Sequence, residues 1–273
     1  MSSFICPVCK NELKTMGHSC LCKKKHSYDI SKKGYINLLM SQTSKTKNHG
    51  DDSAMVRARR DFLCLDCYLP LCRTIPEEIL KQFKLGGTIL DAGCGEGYYT
   101  EKIFESLRGE NLNPQILAVD ISKNALELLK NNDESLKRAV ASIFNLPIAD
   151  KSVDLLLNIF APYCFPEYLR VLKKDGIMIL AIPLERHLYS LKAAVYDKPY
   201  ENAPHDMGIK GFSLLNKREL KYKFILNKNE DIKNLFTMTP YYHKTSPMDL
   251  KKLDIISSME IEAEFGILVY KKL

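Results

Sequence analysis

By its pattern of apolar and polar positions the chain divides into a cysteine-bearing start, an amphipathic middle and a long stretch where short apolar runs alternate with helical ones. The runs Thr88-Ile89-Leu90, Gln115 to Asp120, Arg138 to Ser142, Val153 to Phe160 and Ile177 to Pro183 have the length and aliphatic content of strands covered on both faces. Helices are predicted between them: one begins at Tyr98, one spans Ser122 to Lys130, and one spans Pro166 to Lys173 ahead of the turn Lys174-Asp175-Gly176. Strands and helices in alternation predict an α/β fold with a parallel sheet and right-handed crossovers. The tail from Met259 to Tyr270 alternates partly in polarity and predicts an antiparallel strand closing the sheet edge. Upstream, Ala54 to Phe83 reads as helical with interruptions at Pro70 and Pro76, the part from Ala58 to Leu71 being continuous. The organisation expected is a module over residues 1–36, a linker and helical segment over 37–83, its polar part running to about residue 55, and the α/β domain over 84–273.

With 273 residues, 45% hydrophobic and 27% charged, the chain has room for one α/β domain and a small appendage. It has no apolar run of about 18 residues and no basic, then apolar leader, so neither a membrane span nor a secretory signal is expected. Nine cysteines in that setting suggest thiols and metal in a reducing compartment, which predicts a cytoplasmic location. The net charge of +7 is concentrated before residue 74, at Lys23-Lys24-Lys25, Lys32-Lys33, Lys45, Lys47, Arg57, Arg59 and Arg60, and suits a polyanionic partner.

The densest chemistry follows the first predicted strand, in Asp91-Ala92-Gly93-Cys94-Gly95-Glu96-Gly97. Glycine at every second position allows φ > 0 and lets a ligand approach the backbone where a Cβ would block it. A dinucleotide site would read G-x-G-x-x-G, whereas here G-x-G-x-G stands behind an acid, and this resembles motif I of the Rossmann-like S-adenosylmethionine methyltransferases. Asp91, Gly93, Gly95, Glu96 and Gly97 are therefore expected at a cofactor. Asp120, ending the second strand, is placed to accept hydrogen bonds from two ribose hydroxyls. Its other role would be to cap the next helix, which Ser122 can do instead. Ser142 stands where many such enzymes place an aspartate toward the adenine, in front of the loop Ile143 to Ile148.

At the N-terminus, Cys6-Pro7-Val8-Cys9 and Cys22-Lys23-Lys24-Lys25-His26 give C-x2-C-x12-C-x3-H. Two knuckles that each offer a pair of ligands can converge on one tetrahedral Zn2+, and so short a segment needs the metal to fold. His18 and Cys20 compete for the second knuckle, but Cys20 would leave a longer C-x5-H pair, so Cys6, Cys9, Cys22 and His26 are chosen. A closed four-ligand site is structural, with a recognition role for the lysines it displays. Cys64-Leu65-Asp66-Cys67 and Cys72 are read as helix cysteines rather than a second metal site.

Taken in order, the zinc pattern, Lys33-Gly34-Tyr35-Ile36-Asn37-Leu38-Leu39, Ala58-Arg59-Arg60-Asp61-Phe62-Leu63, Asp91 to Thr100, Ile182-Pro183-Leu184-Glu185-Arg186-His187-Leu188 and Met238-Thr239-Pro240 resemble the 23S ribosomal RNA guanine-N1 methyltransferases over essentially the whole chain. The resemblance implies a Rossmann-like class I methyltransferase sheet with a small zinc-ribbon-like domain for RNA recognition. It also implies S-adenosyl-L-methionine and Zn2+ as cofactors, a domain II hairpin of 23S rRNA as substrate, and a homodimer. By the same match Tyr68, Gly95, Glu96 and His187 fall where the family contacts the cofactor. One branch of the family confers resistance to certain macrolides, and the sequence leaves the branch open.

Guanine N1 faces its partner in a base pair, so the target must be unpaired or flipped, and Tyr98, Phe160, Tyr163 and Phe165 are candidates to stack on it. Asp154, Glu167, Glu185 and His187 are candidates to take the N1 proton, without a choice among them; no catalytic residue is assigned. Two other readings stand beside this one: a class I methyltransferase acting on a small molecule, and a non-catalytic RNA-binding protein that kept the fold.

Overall fold

A computed structural model describes residues 4–40, 50–83, 86–129 and 133–273; the middle of the expected linker, residues 41–49 with Lys45 and Lys47, and Lys130 lie outside the described residues. The N-terminal module is an antiparallel sheet of β1 (Leu13–Met16), β2 (Ser19–Cys22) and β3 (Ser27–Asp29), followed by β4 (Tyr35–Asn37). Helices α1 (Ser53–Leu63) and α2 (Leu69–Gln82) come next. The continuous helix expected through residue 71 is broken: Asp66 takes φ +57°, and its carboxylate accepts from Tyr98 Oη at 3.0 Å and pairs with Lys102 at 3.0 Å. The break sets Tyr68 at the head of α2, where Pro70 in the first turn has no amide hydrogen to leave unpaired.

The α/β part runs β5 (Thr88–Ala92), α3 (Tyr98–Gly109), β6 (Gln115–Asp120), α4 (Lys123–Leu126), β7 (Leu136–Val140), β8 (Val153–Ile159), α5 (Phe165–Val171), β9 (Leu172–Pro183) and α6 (Tyr189–Val195). It ends with β10 (Phe212–Leu226), α7 (Asn229–Thr237), α8 (Pro247–Leu250) and β11 (Met259–Lys272). The large sheet has the order β10-β11-β9-β8-β5-β6-β7-β4. Strands β4 to β9 within it pair parallel, and β11 is antiparallel to both β9 and β10. The expected antiparallel tail strand is therefore present but inside the sheet, and β10 forms the edge. Its outward Lys217, Lys221 and Lys223 suit a strand with unpaired groups along one side.

Successive residues of the central strands point to opposite faces, so Ile89, Leu155 and Ile179 join one apolar cluster and Leu90, Leu156 and Leu180 the other. The second cluster also contains Phe4, Cys6, Leu13, Cys20 and Cys22 of the N-terminal module. A ribbon too small to bury a core of its own thus shares the core of the sheet. β4 completes the junction by pairing with β7, Tyr35 opposite Arg138 and Asn37 opposite Val140, and the Ile5 amide donates to the Pro147 carbonyl at 2.8 Å. The chain moves from β5 outward to β6 and β7, then returns to β8 on the other side, which opens a crevice at the carboxyl end of β5.

Candidate functional site

At that crevice the glycine loop is fixed by its neighbours. Gly93 and Cys94 donate to the Val119 carbonyl at 2.8 and 3.1 Å, and Gly93, Gly95 and Gly97 have φ of +94°, +57° and +88°. A Cβ on Gly93 would stand 2.4 Å from Ala161 Cβ, and one on Gly97 2.4 Å from Leu129 Cγ, so these two glycines allow packing. Beside Gly95 the nearest atom to such a Cβ is Arg59 Nη1 at 3.5 Å, which makes it the open side of the loop. Buried Asp91 accepts a hydrogen bond from Thr100 Oγ1 at 2.6 Å, and burial pushes its carboxyl up to about 6.

Two carboxylates border the crevice. Asp120 accepts from the Gly95 amide at 2.8 Å and the Ser122 amide at 2.7 Å, while Ser122 Oγ caps α4 by accepting from Ala125 N at 3.3 Å. The cap is therefore the serine's, and Asp120 ties the two strand ends together with lone pairs to spare. Glu96 is 7% exposed, and among the described residues no donor lies within hydrogen-bond distance of its Oε2. The closest charge is Arg59 Nη1 at 3.7 Å. Burial raises the proton affinity of both carboxyls, and the Arg59 guanidinium opposes it in each. A buried, under-satisfied carboxylate oxygen beside an open glycine fits a ligand that brings hydroxyl donors, such as a ribose.

Tyr68 and His187 form a second group. Their polar atoms, Oη and Nε2, are 3.4 Å apart, and both rings pack on Phe265, with centroids 4.9 and 4.8 Å away. Phe265 in turn lies 5.4 Å from Phe160, which is 6.0 Å from Tyr99 in the first turn of α3, so an aromatic row joins this pair to the glycine loop. His187 is buried and held down to about 3, first by burial and then by the charge of Lys192.

The metal-type residues converge as the spacing predicts. The ligand atoms of Cys6, Cys9, Cys22 and His26 all lie within 4.8 Å of one another, which is the geometry to bind one metal ion. Each knuckle is closed by a lysine of positive φ, Lys10 at +59° after Cys9 and Lys25 at +63° before His26. Asn11 Nδ2 donates to Cys9 Sγ at 3.2 Å and is the main cause of that thiol's fall to about 6. Cys20 instead contacts Thr15 Oγ1 at 3.6 Å and His18 is exposed in the β1–β2 turn, so neither takes part. Among the described residues Cys64, Cys67 and Cys72 join no such group.

The four candidate bases separate. Asp154 sits at the start of β8, accepting from the Thr88 amide at 2.9 Å and paired with Lys173, at the amino ends of the parallel strands and away from the crevice. Glu167 is held below the usual carboxylate range by Arg170 and accepts from the Leu146 amide, which makes it a clamp on the loop after β7. His187 is a weak base for the reason given. Glu185 is half-buried in the loop after β9, on the crevice side. Of the aromatic candidates, Tyr163 and Phe165 stack on each other at 5.5 Å, Tyr98 is tied to Asp66, and Phe160 is 39% exposed. Arg59 and Thr100 fall inside motifs quoted from the sequence but carry no site role there, and Glu264 and Phe265 belong to no motif at all.

The family model described as "RlmA, N-terminal" matches residues 4–47, and one described as "Methyltransferase domain" matches residues 83–237. A protein of Micromonospora griseorubida, named putative 23S rRNA (guanine-N(1)-)-methyltransferase, is 31% identical over 68% of this chain and 67% of its own length. The chain belongs to this methyltransferase family. A Bacillus subtilis relative of the same description, YxjB, is 28% identical over 99% of this chain and 98% of its own length. The 23S rRNA (guanine(748)-N(1))-methyltransferase of Streptomyces fradiae is 28% identical over 70% of this chain and 66% of its own length. Membership makes the protein an S-adenosylmethionine-dependent methyltransferase with a zinc ribbon, and the crevice and the four-ligand cluster have the donor sets those two groups require. Among the described residues no helix is long and apolar enough to cross a membrane.

Proposed function

We propose that this protein is a cytoplasmic homodimer that methylates N1 of a guanine in a domain II hairpin loop of 23S rRNA. The observation that carries the reading is the junction between ribbon and sheet. β4 pairs with β7, Ile5 bonds Pro147, and Lys10 Nζ donates to Asn145 Oδ1 at 3.2 Å, so the ribbon is fixed beside the loop at the carboxyl end of β7. The exposed Lys23, Lys24 and Lys25 are thereby held at a set position relative to the crevice. A small substrate needs no such display, whereas a phosphate backbone does.

In this reading residues 1–36 recognise RNA and residues 84–273 hold the reacting groups. Asp120 and Glu96 accept the ribose hydroxyls, Gly95 lets the ribose approach, Asp91, Gly93 and Gly97 shape the loop, and Tyr68 with His187 borders the rest of the cofactor. When bound, S-adenosylmethionine supplies an electrophilic methyl on a sulfonium. The chain's contribution is to hold the base in line with that methyl at near-attack distance and to exclude water, the form of catalysis that in-line displacement most rewards. With the cofactor bound, the methyl–sulfur electron pair would return to sulfur as N1 bonds the methyl, and the N1 proton would pass to water or to Glu185, the candidate base on the crevice side.

Incubating the purified protein with S-adenosylmethionine and unmodified 23S rRNA, then mapping by primer extension, tests this directly, because methylation of guanine N1 blocks pairing and stops the polymerase. One new cofactor-dependent stop in a domain II hairpin loop is expected. No stop from a protein that still binds cofactor, on RNA and on ribosomal particles alike, would overturn the substrate.

A further inference from the structure

The segment from Gly50 into the first two turns of α1 is not needed to complete the sheet, yet it spans the mouth of the site. At one end, Ser122 Oγ donates to the Asp51 carbonyl at 3.3 Å, and Gly50 packs so closely on Ile121 that a Cβ there would stand 2.9 Å from Ile121 Cγ2. At the other end Arg59 reaches Glu96 and the open side of Gly95. Asp51 and Arg59 are themselves paired through Asp51 Oδ2 and Arg59 Nη2. The strap thus runs from the loop after β6 to the loop after β5, over Asp120.

The guanidinium is placed where its charge matters most. It is 22% exposed, clamped by Asp51, and faces a carboxylate 6% exposed whose Oε2 is at ion-pair distance but out of hydrogen-bond reach. At 3.7 Å the contact gives Glu96 a counter-charge that opposes part of the effect of burial and leaves Oε2 without a hydrogen-bond partner. A direct bidentate pair would have occupied the acceptor positions that a hydroxyl needs.

We propose that Arg59 is a positioning residue for the cofactor: anchored on Asp51, it is the counter-charge that keeps the Glu96 carboxylate turned into the crevice as an acceptor for a ribose hydroxyl. This rests on the reading of Asp120 and Glu96 as the ribose acceptors. Arg59 then acts through Glu96, and on the ribose half of the ligand only.

Calorimetric titration of the full chain with S-adenosylhomocysteine and with methylthioadenosine, which keeps the ribose and lacks the amino acid, tests it. Arg59→Gln is expected to weaken both ligands about 10-fold, an order-of-magnitude figure for a lost buried counter-charge. Arg59→Lys recovers part of the loss. In the Glu96→Gln background, Arg59→Gln is expected to add no more than about 2-fold, since the two changes remove one interaction. Equal losses from Arg59→Gln in both backgrounds overturn the proposal, as does a loss for S-adenosylhomocysteine that is absent for methylthioadenosine, which would put the guanidinium on the amino-acid carboxylate. If Glu96→Gln and Asp120→Asn leave both affinities unchanged, it is the ribose reading that fails. Melting temperatures of all variants separate these effects from unfolding.

Discussion

Tyr68 Oη and His187 Nε2 face each other at 3.4 Å, and the bond on the far side of the imidazole decides which of them donates. The Glu264 amide donates to His187 Nδ1 at 3.2 Å, so Nδ1 presents a lone pair and the single hydrogen of the neutral ring sits on Nε2. His187 therefore donates to Tyr68, whose own hydrogen is left to point toward another acceptor.

From this arrangement His187 is expected to stay neutral as the Nε2–H tautomer from about pH 5 to about pH 9, since burial and Lys192 hold it down to about 3. Nitrogen-15 chemical shifts of the ring are the measurement, and a titration near 6.5 would falsify the arrangement. The linked stability effect has a definite sign. Below about 6.5 the unfolded chain binds a proton that the folded chain refuses, so stability falls as pH drops through about 6.5, and His187→Gln removes that part of the slope.

Asp91 titrates with the opposite consequence. Its carboxyl is buried and raised from 3.8 to about 6, so between those values the folded state holds the proton more tightly. The contribution is fully present below about 3.8 and is lost as pH rises through about 6, by at most about 3 kcal/mol. Asp91→Asn can still accept from Thr100 Oγ1, and it is expected to flatten the decline in unfolding free energy across that window in the ligand-free protein. An unchanged slope in urea melts from about pH 4 to about pH 7 would show that Asp91 is not the group responsible.

Much of this architecture is legible in the sequence because it is local. The central strands announce themselves as aliphatic runs, the glycine spacing demands positive φ, and the cysteine knuckles have fixed spacing. What escapes a reading of the sequence depends on partners distant along the chain. β10 hides because an edge strand shows only half a pattern, with Leu220, Tyr222 and Phe224 inward and charged residues between them. The helix break at Asp66 follows from contacts with Tyr98 and Lys102, and Arg59 matters only because α1 folds across to Glu96. Asp154 reads as a base in a strand, but a strand has two ends, and only the topology says which one faces the ligand.

The ribbon's packing sets how far its loss should spread. Cys6→Ala removes one of four ligands, and structural zinc contributes on the order of 10 kcal/mol to modules of this kind. The ribbon shares its core with the sheet and bonds the loop after β7, so the variant is expected to lose RNA affinity at least about 10-fold and cofactor affinity only a few-fold. Filter binding with rRNA fragments and titration with S-adenosylhomocysteine, each with metal content measured in parallel, check the pair. Full RNA affinity in a zinc-free protein would take RNA recognition away from the ribbon.

Among the four aromatic candidates Phe160 alone is exposed, and under the proposed function its ring is the one expected to meet the base. It has φ +57°, a conformation that a bulky residue adopts only when its surroundings enforce it, and its 39% exposure contrasts with the packed rings beside it. The next residue, Ala161, fills the space over Gly93, so the Phe160 ring stands at the rim of the glycine loop, at the end of β8. Stacking on a flat aromatic face contributes about 1–3 kcal/mol per base, whereas an aliphatic side chain of similar bulk offers only contact. Phe160→Leu is therefore expected to lower methylation efficiency by about 5- to 150-fold while S-adenosylhomocysteine affinity stays within about 2-fold, and Phe160→Tyr should stay near the parent. Replacing the target guanine by 2-aminopurine gives an independent reading, since a flipped base stacked on the Phe160 ring is quenched, whereas the same base in the Phe160→Leu variant has no ring to stack on and fluoresces. Parent-level methylation by Phe160→Leu, with unchanged fluorescence, would move the stacking platform to Tyr163 and Phe165.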